Sequence, residues 1–203
     1  VGVGSVGGRG GSGGRDRRGV GGGVGGGEGR GADGADMRDV RTGACAACLD
    51  GGVYAIGGYD NVSFLRSAEV LHDGAWQSVA PMGARRQHAR AVVLGASIYV
   101  LGGWDGADAL VSVEIFCDGQ WRDGPPLGEA RYAASAVVVD GAVYVMGGFN
   151  GVSRLSSVEV LRDGRWEAGP PIRSDRHAAC AAVLDGAIYL MGGSDSNGRL
   201  RSV

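Results

Sequence analysis

Two adjacent glycines recur in this chain at steps of 45 residues, as Gly57-Gly58, Gly102-Gly103, Gly147-Gly148 and Gly192-Gly193. Other residues keep the same step: Trp76, Trp121 and Trp166, then Glu69, Glu114 and Glu159, then Arg41, Arg86, Arg131 and Arg176. A fixed period of this size means that each unit folds alike and buries its apolar surface against its neighbours.

Within one unit, "AVVL" at 91–94, "SIYVLGG" at 97–103, "SVEIF" at 112–116 and a short run around Trp121 have the length and β-branched content of strands, with no helical period. Asp-Gly turns separate them. Asp50-Gly51, Asp140-Gly141 and Asp185-Gly186 lie between first and second strands, and Asp73-Gly74, Asp118-Gly119 and Asp163-Gly164 between third and fourth. Asp-Gly between apolar runs is a hairpin signal, because both turn positions tolerate positive φ. The first strands are almost wholly Ala and Val without alternation, as expected when both sheet faces are covered. The spacing therefore predicts an all-β chain of four-stranded antiparallel meanders packed side by side around an axis. Each Gly pair is expected where the second strand leaves the crowded part of its sheet and backbones approach closely. The three tryptophans are expected to fill space between the outer strands of neighbouring units.

The Gly pair, the downstream Trp, "APM" at 80–82 or "GPP" at 124–126, and the Arg opening each next unit together resemble the kelch repeat family over residues 37–203. The resemblance implies a kelch-type β-propeller. One position departs from the pattern: where kelch repeats usually place Tyr between Gly pair and Trp, this chain has Leu71, Phe116 and Leu161. Residues 37–203 supply about 3.7 units, fewer than the five to seven blades with which such propellers generally close. The ring is expected to be incomplete. Because "RSV" ends where the next third-strand Glu is due, and no Met opens the chain, the sequence is expected to be part of a longer one.

Residues 1–36 are half glycine and contain no aromatic residue, so they bury too little apolar surface to offset chain entropy and are expected to be a disordered tail. The tail has five Arg against four acidic residues, and the remainder has a net charge of −3. Neither half carries the basic, aromatic-interleaved surface that tracks phosphates, so nucleic-acid binding is not expected. All twenty basic residues are Arg and none is Lys, which leaves no side-chain amine in this segment for ubiquitin attachment. No apolar run is long enough to span a bilayer, and a soluble, cytoplasmic protein is expected. Cys45 and Cys48 have C-x-x-C spacing but no second ligand pair, and Cys48 takes the repeat position of Val93, Val138 and Val183, so it reads as a core residue.

Loops joining fourth to first strands and second to third strands emerge on one propeller face. They bring together Tyr59, Phe64, Trp104, Tyr132 and Phe149 with Arg86, Arg131, Arg154 and Arg176, and with Arg85 and Arg173. Arg and large aromatics dominate protein interfaces, so these residues are candidates for binding a protein or peptide ligand, with an acidic one favoured. Arg86, Arg131 and Arg176 recur in every unit, and for them a structural pairing with Glu69, Glu114 and Glu159 stands beside the ligand role. By resemblance, such a face implies a substrate-recognition part of a cullin-based ubiquitin ligase, following a BTB domain that this sequence lacks, or an actin-binding or scaffold protein. The rival class is a propeller enzyme of the oxidase or sialic-acid epimerase kind. Only three His occur, and no Ser, Cys, His and acid combine into a triad, a metal set or a phosphate loop. No catalytic residue, metal or cofactor is therefore assigned.

Overall fold

A computed structural model describes residues 34–203, together with a short backbone pairing of Gly22–Gly23 with Ala32–Asp33. The expected disordered tail thus falls almost entirely outside the described residues. Three complete blades follow one another, each a four-stranded antiparallel sheet in simple meander order. Blade I comprises Cys45–Leu49, Gly52–Ile56, Ala68–His72 and Ala75–Val79. Blade II comprises Arg90–Leu94, Ser97–Leu101, Val113–Cys117 and Gln120–Asp123. Blade III comprises Ser135–Val139, Ala142–Met146, Val158–Arg162 and Arg165–Gly169. Blade IV has its first two strands, Cys180–Leu184 and Ala187–Met191, then a small hairpin of Ser194–Asp195 with Gly198–Arg199. No helix occurs among the described residues, so none is long and apolar enough to cross a membrane.

The hairpins form as their Asp-Gly dipeptides dictate. Asp50, Asp73, Asp118, Asp140, Asp163 and Asp185 all have φ near +50°, and each is followed by a glycine near +75°, the conformation whose twist matches that of the flanking strands. Registers are correspondingly fixed, with Val139 opposite Ala142 in one hairpin and Arg162 opposite Arg165 in another.

Three apolar clusters lie between blades rather than within them. Ile56, Ala68 and Met82 of blade I and its exit meet Ile98, Val100 and Phe116 of blade II. Val92, Leu101, Ile115 and Leu127 then meet Val143, Val145 and Leu161 of blade III. Met146, Val158 and Val160 meet Ala181, Ile188 and Leu190 of blade IV. Blades II and III are therefore covered on both faces, which explains their near-continuous apolar first strands.

The side of blade I turned away from blade II has no such cover among the described residues. Cys48 lies on that side and is exposed, which corrects its reading as a core residue. Its counterparts Val93 and Val138 pack against the preceding blade. On the other outermost side, Leu184 and Tyr189 of blade IV are 60% and 41% exposed, whereas Leu94 and Tyr99 at the same repeat positions pack into a cluster.

The tryptophans seal the outer rim. Trp121 Nε1 donates to the Ala80 carbonyl of the preceding linker at 2.7 Å, and Trp166 Nε1 to that of Pro125 at 2.8 Å. Trp121 also stacks on Phe116 with ring centroids 5.0 Å apart. Because Trp121 is only partly buried, Trp121→Ala is expected to cost about 2–3 kcal/mol, less than the ~3–5 kcal/mol of a fully buried Trp. Urea unfolding of the variant against the parent chain checks this.

Candidate functional site

The Gly pairs sit at the junctions between successive blades. Gly58 N donates to the Arg86 carbonyl at 2.7 Å, Gly103 N to that of Arg131 at 2.9 Å and Gly148 N to that of Arg176 at 2.8 Å. In the first three pairs the first glycine must lack a side chain: a Cβ on Gly57, Gly102 or Gly147 would lie 2.4, 2.2 or 2.4 Å from those same carbonyl oxygens. These glycines also have φ of +64°, +57° and +60°.

Each recurring Arg turns its guanidinium inward. Arg86 Nη1 donates to the carbonyls of Gly102 and Ser112, its Nη2 to Ser112 Oγ, and its Nε and Nη2 to Glu114 Oε1 at 3.1 and 2.9 Å. Arg131 repeats the set on Gly147, Ser157 and Glu159, with an ion pair of 2.7 Å, and Arg41 on Gly57, Ser67 and Glu69, with one of 2.9 Å. Each Glu uses its remaining capacity on the incoming linker. Glu114 accepts from Gly83 N and Ala84 N, and Glu159 from Gly128 N and Glu129 N. Burial alone would raise the pKa of Glu69, but Arg41 and the N–H groups of Arg38 and Asp39 outweigh it and hold the carboxyl below its usual value.

Arg86 and Arg131 are each 1% exposed and Arg176 is 6% exposed. Arg176 donates to Gly192 O, Ser174 Oγ and Ser202 Oγ. Of the two roles open to these arginines, burial therefore selects the structural one. Their Nη groups are engaged inside the blades, the Nε of Arg131 and of Arg176 is buried without an acceptor, and none of the three guanidinium groups faces a ligand.

The other candidates lie together on the loop face. The residue after each Gly pair bridges across to the linker of its own blade: Tyr59 with Thr42, Trp104 with Gln87, Phe149 with Tyr132 and Ser194 with His177. A second bridge ties Tyr59 to Phe64 and Phe149 to Arg154. The aromatic rings follow this order. Trp104 meets Tyr132 edge-on at 5.5 Å between centroids, Tyr132 meets Phe149 at 5.6 Å, and Phe149 meets His177 at 6.2 Å. Arg154 Nε donates to His177 Nδ1 at 3.2 Å, closing the row on blade IV. Tyr59 and Phe64 form a separate pair with centroids 5.0 Å apart. Phe64 lines a groove of about 490 Å³ together with Arg85 and Asp105, and Gly106 lies so close to the ring that a Cβ there would sit 2.7 Å from it. A larger groove beside Pro125, Pro126 and Trp166 runs along the outer strand of blade III, and its polar groups Arg131 and Glu159 are already engaged.

The tips of these loops share a device that the repeat pattern did not single out. Asp60, Asp105, Asn150 and Asp195, 45 residues apart, each accept two backbone N–H bonds through Oδ1, from Val62 and Ser63, Ala107 and Asp108, Val152 and Ser153, and Asn197 and Gly198. A short acid or amide two residues after the Gly pair was the available signal. The turns hold Val62 and Val152 outward, 85% and 89% exposed. Among the described residues no group of three His, Cys, Asp or Glu side chains is placed to hold a metal.

Blades of this topology, joined at Gly pairs and tied by a buried Arg–Glu bond in each complete unit, define a β-propeller repeat protein. The Kelch motif matches residues 41–83, 85–128, 130–172 and 175–203, and the chain belongs to the kelch repeat family. Among solved structures, "Structure of YjhT" superposes with a TM-score of 0.74 at 11% identity, covering 83% of this chain. This chain spans 66% of the length of that structure, and the likeness concerns the fold alone. A search of curated proteins returns no match.

Proposed function

We propose that the chain is a protein-interaction module that captures a partner peptide on its loop face. The observation that carries this reading is the row of rings from Trp104 through Tyr132 and Phe149 to His177, which crosses blades II to IV without a break. The residues differ from blade to blade, as an asymmetric ligand needs, whereas the buried Arg–Glu pairs do not. Exposed Val62 and Val152 add apolar tips, and Arg85, Arg154 and Arg173 give the face its preference for an acidic partner. Tyr59, Phe64, Trp104, Tyr132, Phe149 and Arg154 form the proposed contact set. Four free cysteines suit a reducing, cytoplasmic setting. Service as the substrate-recognition part of a cullin-based ubiquitin ligase, or as an actin-binding scaffold, extends the proposal on family resemblance.

Peptides selected by panning a random display library against the 203-residue chain provide the probe. Trp104→Ala and Tyr132→Ala are expected to weaken the selected peptides by at least about tenfold, which is roughly 1.4 kcal/mol. Stability should fall by about 2–3 kcal/mol, as for the equally part-buried Trp121, which leaves the variants folded enough for binding to be read. Unaltered binding by both variants sinks the loop-face reading.

A further inference from the structure

Where the first strands of the four blades converge, a cavity of about 190 Å³ is walled by small residues, among them Ala89, Ala133, Ala178 and Ala179, and by one cation, Arg90, with His88 alongside. An adjoining cavity of about 210 Å³ shares Arg90 and reaches Ser135 and Cys180. The other three blades put Cys45, Ser135 and Cys180 at the repeat position of Arg90. That position has a structural task that needs only a hydroxyl: Ser135 Oγ donates to the Ala179 carbonyl of the next blade at 2.7 Å. Arg90 performs the same task with Nε, which donates to the Ala134 carbonyl.

The rest of the guanidinium goes beyond this need. Neither Nη group has a hydrogen-bond partner among the described residues, and no carboxylate lines either cavity. The two Nη groups keep access to solvent, so the fork stands in a wall of small residues with no counter-charge and is free to take up an anion. Partial loss of hydration against the cavity wall, and then the charge of Arg90, lower the pKa of the otherwise exposed His88.

We infer that this central cavity is a carboxylate-binding site, in which the two Nη groups of Arg90 hold both carboxylate oxygens as a fork and His88 lies within the same cavity. The carboxylate has two sources open to it, a small free acid or an acidic side chain or chain end of a peptide entering from the loop face. The inference is independent of the loop-face reading, since it concerns the cavity wall and not the aromatic row.

NMR of the guanidinium groups and of His88 in the 203-residue chain tests it, with propionate as one probe, a short peptide bearing a single Asp as the other, and chloride at equal ionic strength as control. Saturable shifts of the Arg90 Nη signals with a Kd on the order of millimolar are expected, together with a rise in the His88 pKa as the bound anion offsets Arg90. In Arg90→Ser, which keeps the hydroxyl of Ser135, the His88 pKa should start higher and no longer respond to either probe. A response to propionate identifies a free acid as sufficient, and a response to the peptide alone identifies a peptide-borne group. No response to either probe in the parent chain, or equal shifts with chloride, overturns the proposal whether or not the variant folds.

Discussion

Gly102→Ala should all but abolish the junction between blades II and III. The added Cβ would lie 2.2 Å from the Arg131 carbonyl oxygen, a backbone atom held by Gly103 N and by its own strand entry, so neither side can give way cheaply. The φ of +57° adds the ordinary cost of a side chain in the left-handed region, about 1–2 kcal/mol. Gly119→Ala isolates that smaller part. Gly119 has φ +76°, but a Cβ there would meet nothing within 4 Å, so its substitution should cost only about 1–2 kcal/mol. Gly102→Ala should exceed about 4 kcal/mol, a size reserved for a few severe mechanisms. Urea unfolding of the pair decides it, and equal losses would show that conformation alone, not the approach of the next blade, demands glycine here.

Arg131→Ala should cost about 3–5 kcal/mol, because it strands Glu159 in the interior without its cation. For a chain of this length that corresponds to a fall in Tm of roughly 10 °C. The loss extends past the ion pair, since the Gly147 carbonyl and Ser157 Oγ lose their donor as well. Arg131→Lys should recover only a minor part, as one ammonium cannot fork across three acceptors. Arg131→Met combined with Glu159→Gln should be milder than Arg131→Ala, because no buried charge is left and the amide oxygen can still accept from Gly128 N. A thermal melt of Arg131→Ala that matches the parent would return this arginine to the ligand-facing set.

The fold was legible because its signals are local and repeated. Asp-Gly turns, the Gly pairs and the tryptophan spacing each fix one step of a blade, and the period fixes how steps stack. The binding face was harder to read. An Arg before each first strand suits a pocket or a buried tie equally well, and the deciding Glu lies 28 residues further on, as in Arg86 and Glu114. That offset is constant in the sequence, but only the sheet register brings the two side chains to the same depth. Cys48 misled for a related reason: its repeat position is apolar, yet its side of blade I faces no neighbour among the described residues. The aromatic row was visible as a set of rings but not as a row, since the Trp104 backbone pairs with Gln87 of its own blade while its ring meets Tyr132 of the next.

The junction built from a Gly pair and the following Arg uses main-chain atoms and side chains common to every unit. It is therefore blind to which blade stands on either side, and one unit can be duplicated, lost or exchanged for another without redesigning the seam. The loops join it through the backbone of Leu65, Leu110 and Leu155, and their tips are free of that duty. A lineage carrying this scaffold can lengthen its ring by whole units while its recognition surface drifts on its own, so inheritance of shape and inheritance of specificity are separable in the same 45 residues.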